Sequence, residues 1–98
     1  MYKSVIHPEA KQDIKDAAKW YNKQKSGLGK RFTKEVRETV HFIKQNPKAV
    51  AIRYKGIRTA TLNVFPYMIH YSLDDKNQSV VILAVLSMHR NPEIWNNS

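Results

Sequence analysis

The sequence has no cysteine. Disulfides and thiolate metal sites are therefore excluded, which suits a reducing compartment. Long apolar runs are missing too. The longest, Val80 to Leu86, is seven residues, against the roughly 20 that a membrane-spanning helix needs. No leader pattern opens the chain, because Met1-Tyr2-Lys3-Ser4-Val5-Ile6 meets Pro8 and Glu9 at once. A cytoplasmic protein with no membrane partner is expected. Glycine is scarce, and the closely spaced pair Gly27 and Gly29 lacks any phosphate-loop pattern. The four histidines, His7, His41, His70 and His89, are scattered without ligand spacing, so no metal or cofactor is expected. A nucleophile elbow, an internal repeat and a low-complexity segment are all absent.

Acidic residues are few: 8 Asp/Glu stand against 17 Lys/Arg, for a formal charge of +9. Such an excess favours acidic partners, whether nucleic acid, an acidic protein or an anionic surface. It is also uneven. Residues 1–50 carry 12 basic and 5 acidic side chains, and residues 51–98 carry 5 and 3. The excess therefore lies on the half predicted to be helical. A chain of 98 residues makes one domain with one core, burying roughly 60–65% of its unfolded surface. Its hydrophobic content of 42% is that of a globular protein.

Tyr2 to Ile6 reads as a short first strand. A helix follows over Pro8 to Gln24, with proline at its first position and Glu9 against the positive end of its dipole. Ala10, Ile14, Ala17, Ala18 and Tyr21 draw its buried stripe, flanked by Trp20. Lys11, Lys15, Lys19 and Lys23 recur every fourth residue on another face. That row is either a solvated face or a docking surface for an acidic partner. Ser26-Gly27-Leu28-Gly29 turns the chain, and a second helix runs over Gly29 to Gln45 with Phe32, Val36, Thr39, Val40 and Ile43 inward. Asn46-Pro47 ends it.

A short extended piece at Ile52 and Tyr54, a turn at Lys55-Gly56 and a strand over Ile57 to Val64 come next. In that strand Arg58, Ala60, Leu62 and Val64 are expected on one face. Val64 to Tyr71 is the densest aromatic segment, alternating Phe65, Tyr67, Ile69 and Tyr71 at period two, with Pro66 marking a break between strands. Asp74 to Gln78 makes a hairpin loop. Ser79 to Met88, apolar at nearly every position, reads as an interior strand. The order β-α-α-β-β-β describes an α+β fold, a helical hairpin packed on a small antiparallel sheet.

The side chains able to do chemistry fall on the sheet: Arg58, Tyr67, His70, Tyr71, His89, Arg90 and Trp95. Arginine pairs with phosphate, aromatic rings stack on bases, and histidine moves a proton in 2′-hydroxyl attack. Together on one face they would hold RNA, whereas Tyr67 and Tyr71 would serve equally well as core residues with wet tips.

Four features in this order resemble the RelE/ParE superfamily of toxins from bacterial type II toxin–antitoxin pairs. They are Pro8-Glu9-Ala10; Trp20-Tyr21 with Gly27-Leu28-Gly29 and Phe32; Phe65-Pro66-Tyr67 with Ile69 and Tyr71; and Val85-Leu86 with His89-Arg90-Asn91-Pro92 and Trp95. The resemblance implies a small basic toxin neutralised by a cognate acidic antitoxin protein in a hetero-oligomer. Lys11, Lys15, Lys19, Lys23, Arg58, Arg90 and Trp95 are then candidates for binding the antitoxin or the target. RelE-like members cut mRNA on the ribosome, while ParE-like members poison DNA gyrase. If the chain is a nuclease, the resemblance makes Arg58, His70, His89, Arg90 and Trp95 its candidate catalytic residues. Two departures weigh against that. Met68 stands where RelE-like nucleases carry an arginine, and Ala60 where lysine is frequent. Losing such a donor typically costs on the order of 10²–10³ in rate. The Phe65-Pro66-Tyr67 pattern is closer to ParE-like members.

Overall fold

A computed structural model describes residues 1–89 of the chain. Strand β1 (Lys3–Ile6) leads into helices α1 (Pro8–Gln24) and α2 (Leu28–Gln45). Four strands follow: β2 (Ile52–Tyr54), β3 (Ile57–Thr61), β4 (Tyr67–Asp74) and β5 (Ser79–Ser87). They lie in one sheet in the order β1-β5-β4-β3-β2. The expected α+β architecture is present, but the sheet is mixed. β1 runs parallel to β5, and the remaining pairs are antiparallel. The helical hairpin and strands β2 to β4 all lie between β1 and β5 in the chain, leaving ample length for the parallel pairing, which no tight turn can make.

Helix α1 begins where Pro8 supplies a preset φ, and His7 adds no side-chain cap. The start of α2 is held from α1. Asn22 Oδ1 accepts the backbone N–H groups of Gly27 and Gly29, each at 3.1 Å, satisfying donors that a helix N-terminus leaves open. The backbones of the two helices are close here. A Cβ on Gly29 would lie 2.4 Å from the carbonyl oxygen of Ala18, so any larger residue forces the helices apart. Asn22→Ala should lower stability by about 1 kcal/mol, the usual value of a lost N-terminal cap. Thermal melts of the two proteins would show it, and an unchanged midpoint would refute the capping role.

The core lies between the hairpin and one face of the sheet. Ala10, Ala17, Phe32, Val36, Val40 and Ile43 descend from the helices, and Ile69, Tyr71, Val80, Ile82 and Val85 rise from β4 and β5. Strand β5 stays in phase with β4 only through a bulge. His70 pairs with Ala84 and Tyr71 with Ile82, which leaves Leu83 without a residue opposite it. Two helix carboxylates tie the layers together. Asp13 accepts the N–H of Val85 at 3.0 Å, and Glu35 accepts those of Val64 and Phe65 at 3.1–3.3 Å.

The segment before β4 differs from expectation. β3 stops at Thr61 and β4 starts at Tyr67, so Val64, Phe65 and Pro66 belong to a loop. Leu62 and Phe65 turn into the core there, while Val64 is 67% exposed rather than aligned with Ala60 and Leu62. The cause is local. Leu62 N–H donates to Tyr67 O, closing the loop, and the Glu35 carboxylate takes the donors at its crest.

Candidate functional site

Cross-strand pairing sets the two faces of the sheet. Arg58 pairs with Tyr71 and Ala60 with Ile69, while Thr59 pairs with His70 and Thr61 with Met68. Since directly paired residues share a face, Arg58 turns toward the helices and His70 turns away. The candidates therefore do not form one RNA-holding face. Tyr71 is in the core, its hydroxyl donating to Pro47 O at 3.1 Å. Burial pushes the Tyr71 hydroxyl pKa up, and the neighbouring Arg58 charge partly opposes this. The Arg58 guanidinium donates from Nη1 to the carbonyl of Val50. Its charge thus braces the segment between α2 and β2 instead of standing on an open surface.

On the opposite face His70 is 1% exposed. Tyr54 Oη and His70 Nδ1 share a hydrogen bond of 2.9 Å, with the two rings 5.9 Å apart. Burial above all, and then the charge of Arg53, lower the imidazole pKa from 6.5 to about 4. At neutral pH His70 is therefore uncharged and shut away from solvent. Tyr54 and Arg53, its partners, lie on the short extended piece expected from the sequence, where nothing local ties them to His70. Met68 is buried beside His70, between Thr61 and Leu86 in the pairing.

The lysine row Lys11, Lys15, Lys19 and Lys23 is exposed along α1. Another sector of the same helix was not singled out by sequence. Glu9, Asp13, Asp16 and Trp20 are spaced four, three and four, which places them on one side of the helix. This side walls the crevice where α1 meets the ends of β4 and β5. The crevice has a volume of about 460 Å³. Asp16, Trp20 and Tyr21 form its helix wall and Pro66 and Tyr67 the facing one, with Ser87 and His89 at its end. Trp20 is 54% exposed. Its ring meets Tyr21 edge-on at 5.0 Å, and Tyr21 in turn meets Tyr67 at 6.0 Å. Burial first, and the nearby Tyr67, push the Tyr21 hydroxyl pKa up. His89 is thus on the helix side, away from His70. Arg90 and Trp95 lie outside the described residues.

A second groove runs between the helices and β1, with a volume of about 320 Å³. Ile6, Ile14, Val36 and Val40 line it, and Arg37 and Lys44 add positive charge. Among the described residues, no group of three His, Asp or Glu side chains is placed to hold a metal. No described helix is long and apolar enough to cross a membrane.

Comparison with known proteins agrees with this architecture. Residues 5–92 match the family described as "ParE toxin of type II toxin-antitoxin system, parDE". No curated protein matches by sequence search. Among solved structures, the chain is similar to one from the chromosomal ParDE toxin–antitoxin system of P. aeruginosa. That pair has 17% identity and a TM-score of 0.65, covering 89% of this chain and 96% of the other. It is also similar to a chain of the intact E. coli RelBE toxin–antitoxin complex, at 14% identity and a TM-score of 0.70, covering 92% and 100%. The isolated E. coli RelE toxin gives 12% identity and a TM-score of 0.69, covering 99% and 95%. At these identities the structures establish a shared fold.

Proposed function

The chain belongs to the ParE family of toxins of type II toxin–antitoxin systems, and from that premise we propose that it arrests growth by binding DNA gyrase. The family match over residues 5–92 carries this reading. The chemistry of the sheet supports it. On the face turned away from the helices Thr59 and Thr61 reach the surface while Met68 and the neutral His70 are buried, and Arg58 is engaged with Val50. A surface of this kind is suited to holding a large partner rather than to transferring protons.

An acidic, amphipathic antitoxin segment fits the groove between the helices and β1. Its apolar side would cover Ile14, Val36 and Val40, with carboxylates meeting Arg37 and Lys44. The alternative target is translated mRNA on the ribosome, with Arg58 and Arg90 on the phosphate and His89 or His70 for proton transfer.

One experiment separates the two targets. The antitoxin-free protein is titrated into purified gyrase while supercoiling is followed, and in parallel into a translation reaction read by primer extension. Dose-dependent loss of supercoiling with intact message is the expected outcome. Discrete message cuts, with gyrase unaffected over the same range, would overturn the proposal.

A further inference from the structure

We propose that the crevice between α1 and the ends of β4 and β5 is a receptor for an arginine side chain. The arginine would be carried by an extended, otherwise acidic segment of a protein partner. Three independent features converge there.

The first is charge. The protein carries +9 overall, yet among the described residues no lysine or arginine lines this crevice, and Asp13 and Asp16 do. Asp13 Oδ2 is committed to the N–H of Val85. Asp16 is exposed and accepts one bond, from Gln12 Nε2 at 2.8 Å. A carboxylate offers about four acceptor positions, so Asp16 can also take the paired donors of a guanidinium.

The second feature is aromatic. Trp20, Tyr21 and Tyr67 form a contiguous set of rings at the crevice. A planar cation laid on an indole or phenol face gains from the ring quadrupole. Arginine combines this stacking with bidentate pairing in a way that lysine does not.

The third is backbone. β1 accompanies β5 only along Ser79 to Ile82, while β5 continues to Ser87. Beyond Ile82 no strand lies beside it among the described residues; the Val85 N–H is taken by Asp13, and Val85 and Ser87 line the crevice. An extended segment following this edge would pass Trp20 and Asp16 with its side chains alternating in and out.

The surroundings define the rest of the ligand. A wholly cationic peptide would be repelled by the lysine row and the net charge. A single arginine flanked by acidic residues gains on both counts and has its register fixed by the crevice. The flanking acidity rests on the reading of an acidic partner given above; the arginine pocket does not.

The test uses the full chain and three capped peptides. They are acetyl-Glu-Val-Arg-Val-Glu-amide, the same peptide with neutral citrulline for arginine, and the arginine peptide with glutamine for both glutamates. Binding is measured by calorimetry at low salt, and the indole N–H of Trp20 is followed by NMR. The arginine peptide should bind about tenfold tighter than the citrulline peptide and should shift the Trp20 signal. Asp16→Asn, at an exposed position, should abolish that preference while leaving the melting temperature unchanged. Equal binding of the arginine and citrulline peptides would overturn the proposal, as would a preference that survives in D16N. So would self-association of the chain that D16N removes, because the occupant would then be a second copy. If only the glutamine peptide fails to weaken, the pocket stands and the acidic-partner reading falls.

Discussion

Phe32→Ala should cost about 3–5 kcal/mol, the usual penalty for emptying a fully buried phenylalanine site. The total stability of a chain this size is about 5–15 kcal/mol, so the variant should lose a large share of it and unfold at a much lower urea concentration. Phe32 is 0% exposed and sits where the hairpin meets the sheet. Its ring lies 5.5 Å from Tyr21 on α1, 5.3 Å from Phe65 in the loop and 5.1 Å from Tyr67 on β4. Those partners come from three separate stretches of chain, and none can move into the gap without leaving its own backbone position. The loss therefore includes the transfer term and an unrelieved cavity. Phe42 on the same helix is the control. It is 50% exposed, and Phe42→Ala should change stability by less than about 1 kcal/mol. Urea denaturation of the three proteins decides the matter, and similar midpoints for the two variants would show that the aromatic junction is not the keystone.

Helix α1 was legible to the residue because its signals are local. Proline at the first position, the spacing of Ala10, Ile14, Ala17 and Tyr21, and the glycines beyond Gln24 all lie within one stretch. Long-range partners were not legible. Val64 continues an alternating pattern in sequence, yet it is exposed because Glu35, a residue of the other layer, takes its N–H. The parallel pairing of β1 was hidden for the same reason, since four residues carry no sign of which strand they will join. The candidate site shows both cases. Period-two alternation alone separates His70 from Tyr67 and Tyr71. Only the register with β4 and the Val50 carbonyl reveals that Arg58 faces the helices. The Glu9, Asp13, Asp16, Trp20 spacing was readable as a helix stripe, but the more regular lysine row masked it.

The scarcity of acid also acquires a structural meaning. Asp13 and Glu35 are consumed in holding sheet and loop donors, and Asp74 caps its own hairpin through Asn77. Carboxylates used on backbone N–H groups leave less to face the lysines of α1. Basic surface and tied layers are thus two results of one allocation of charge. An acidic partner would supply from outside what the fold has turned inward.

His70 should make the fold acid-sensitive in a window set by its own burial. Its pKa is about 4 in the folded chain and near 6.5 when unfolded. Between those values the unfolded chain binds a proton that the native state refuses. Stability therefore falls as pH drops from about 6.5 toward 4, and is fully present above that range. The difference amounts to about 2 kcal/mol at pH 5. Asp74, whose carboxyl is held below its usual value by Asn77, acts in the same direction only below about pH 4, so the two effects separate. His70→Gln removes the titrating group. It should lower stability at pH 7.5, because a packed ring bonded to Tyr54 is lost, yet flatten the decline between pH 6.5 and 5. Thermal melts of both proteins across that range measure the slopes, and parallel curves would refute the assignment. The same burial bears on chemistry. An imidazole with a pKa of about 4 is uncharged at neutral pH and a weak general base, and at 1% exposed it lies away from solvent. What His70 does at neutral pH is join Tyr54 on β2 to the middle of the sheet, keeping rigid the face through which a partner would be held.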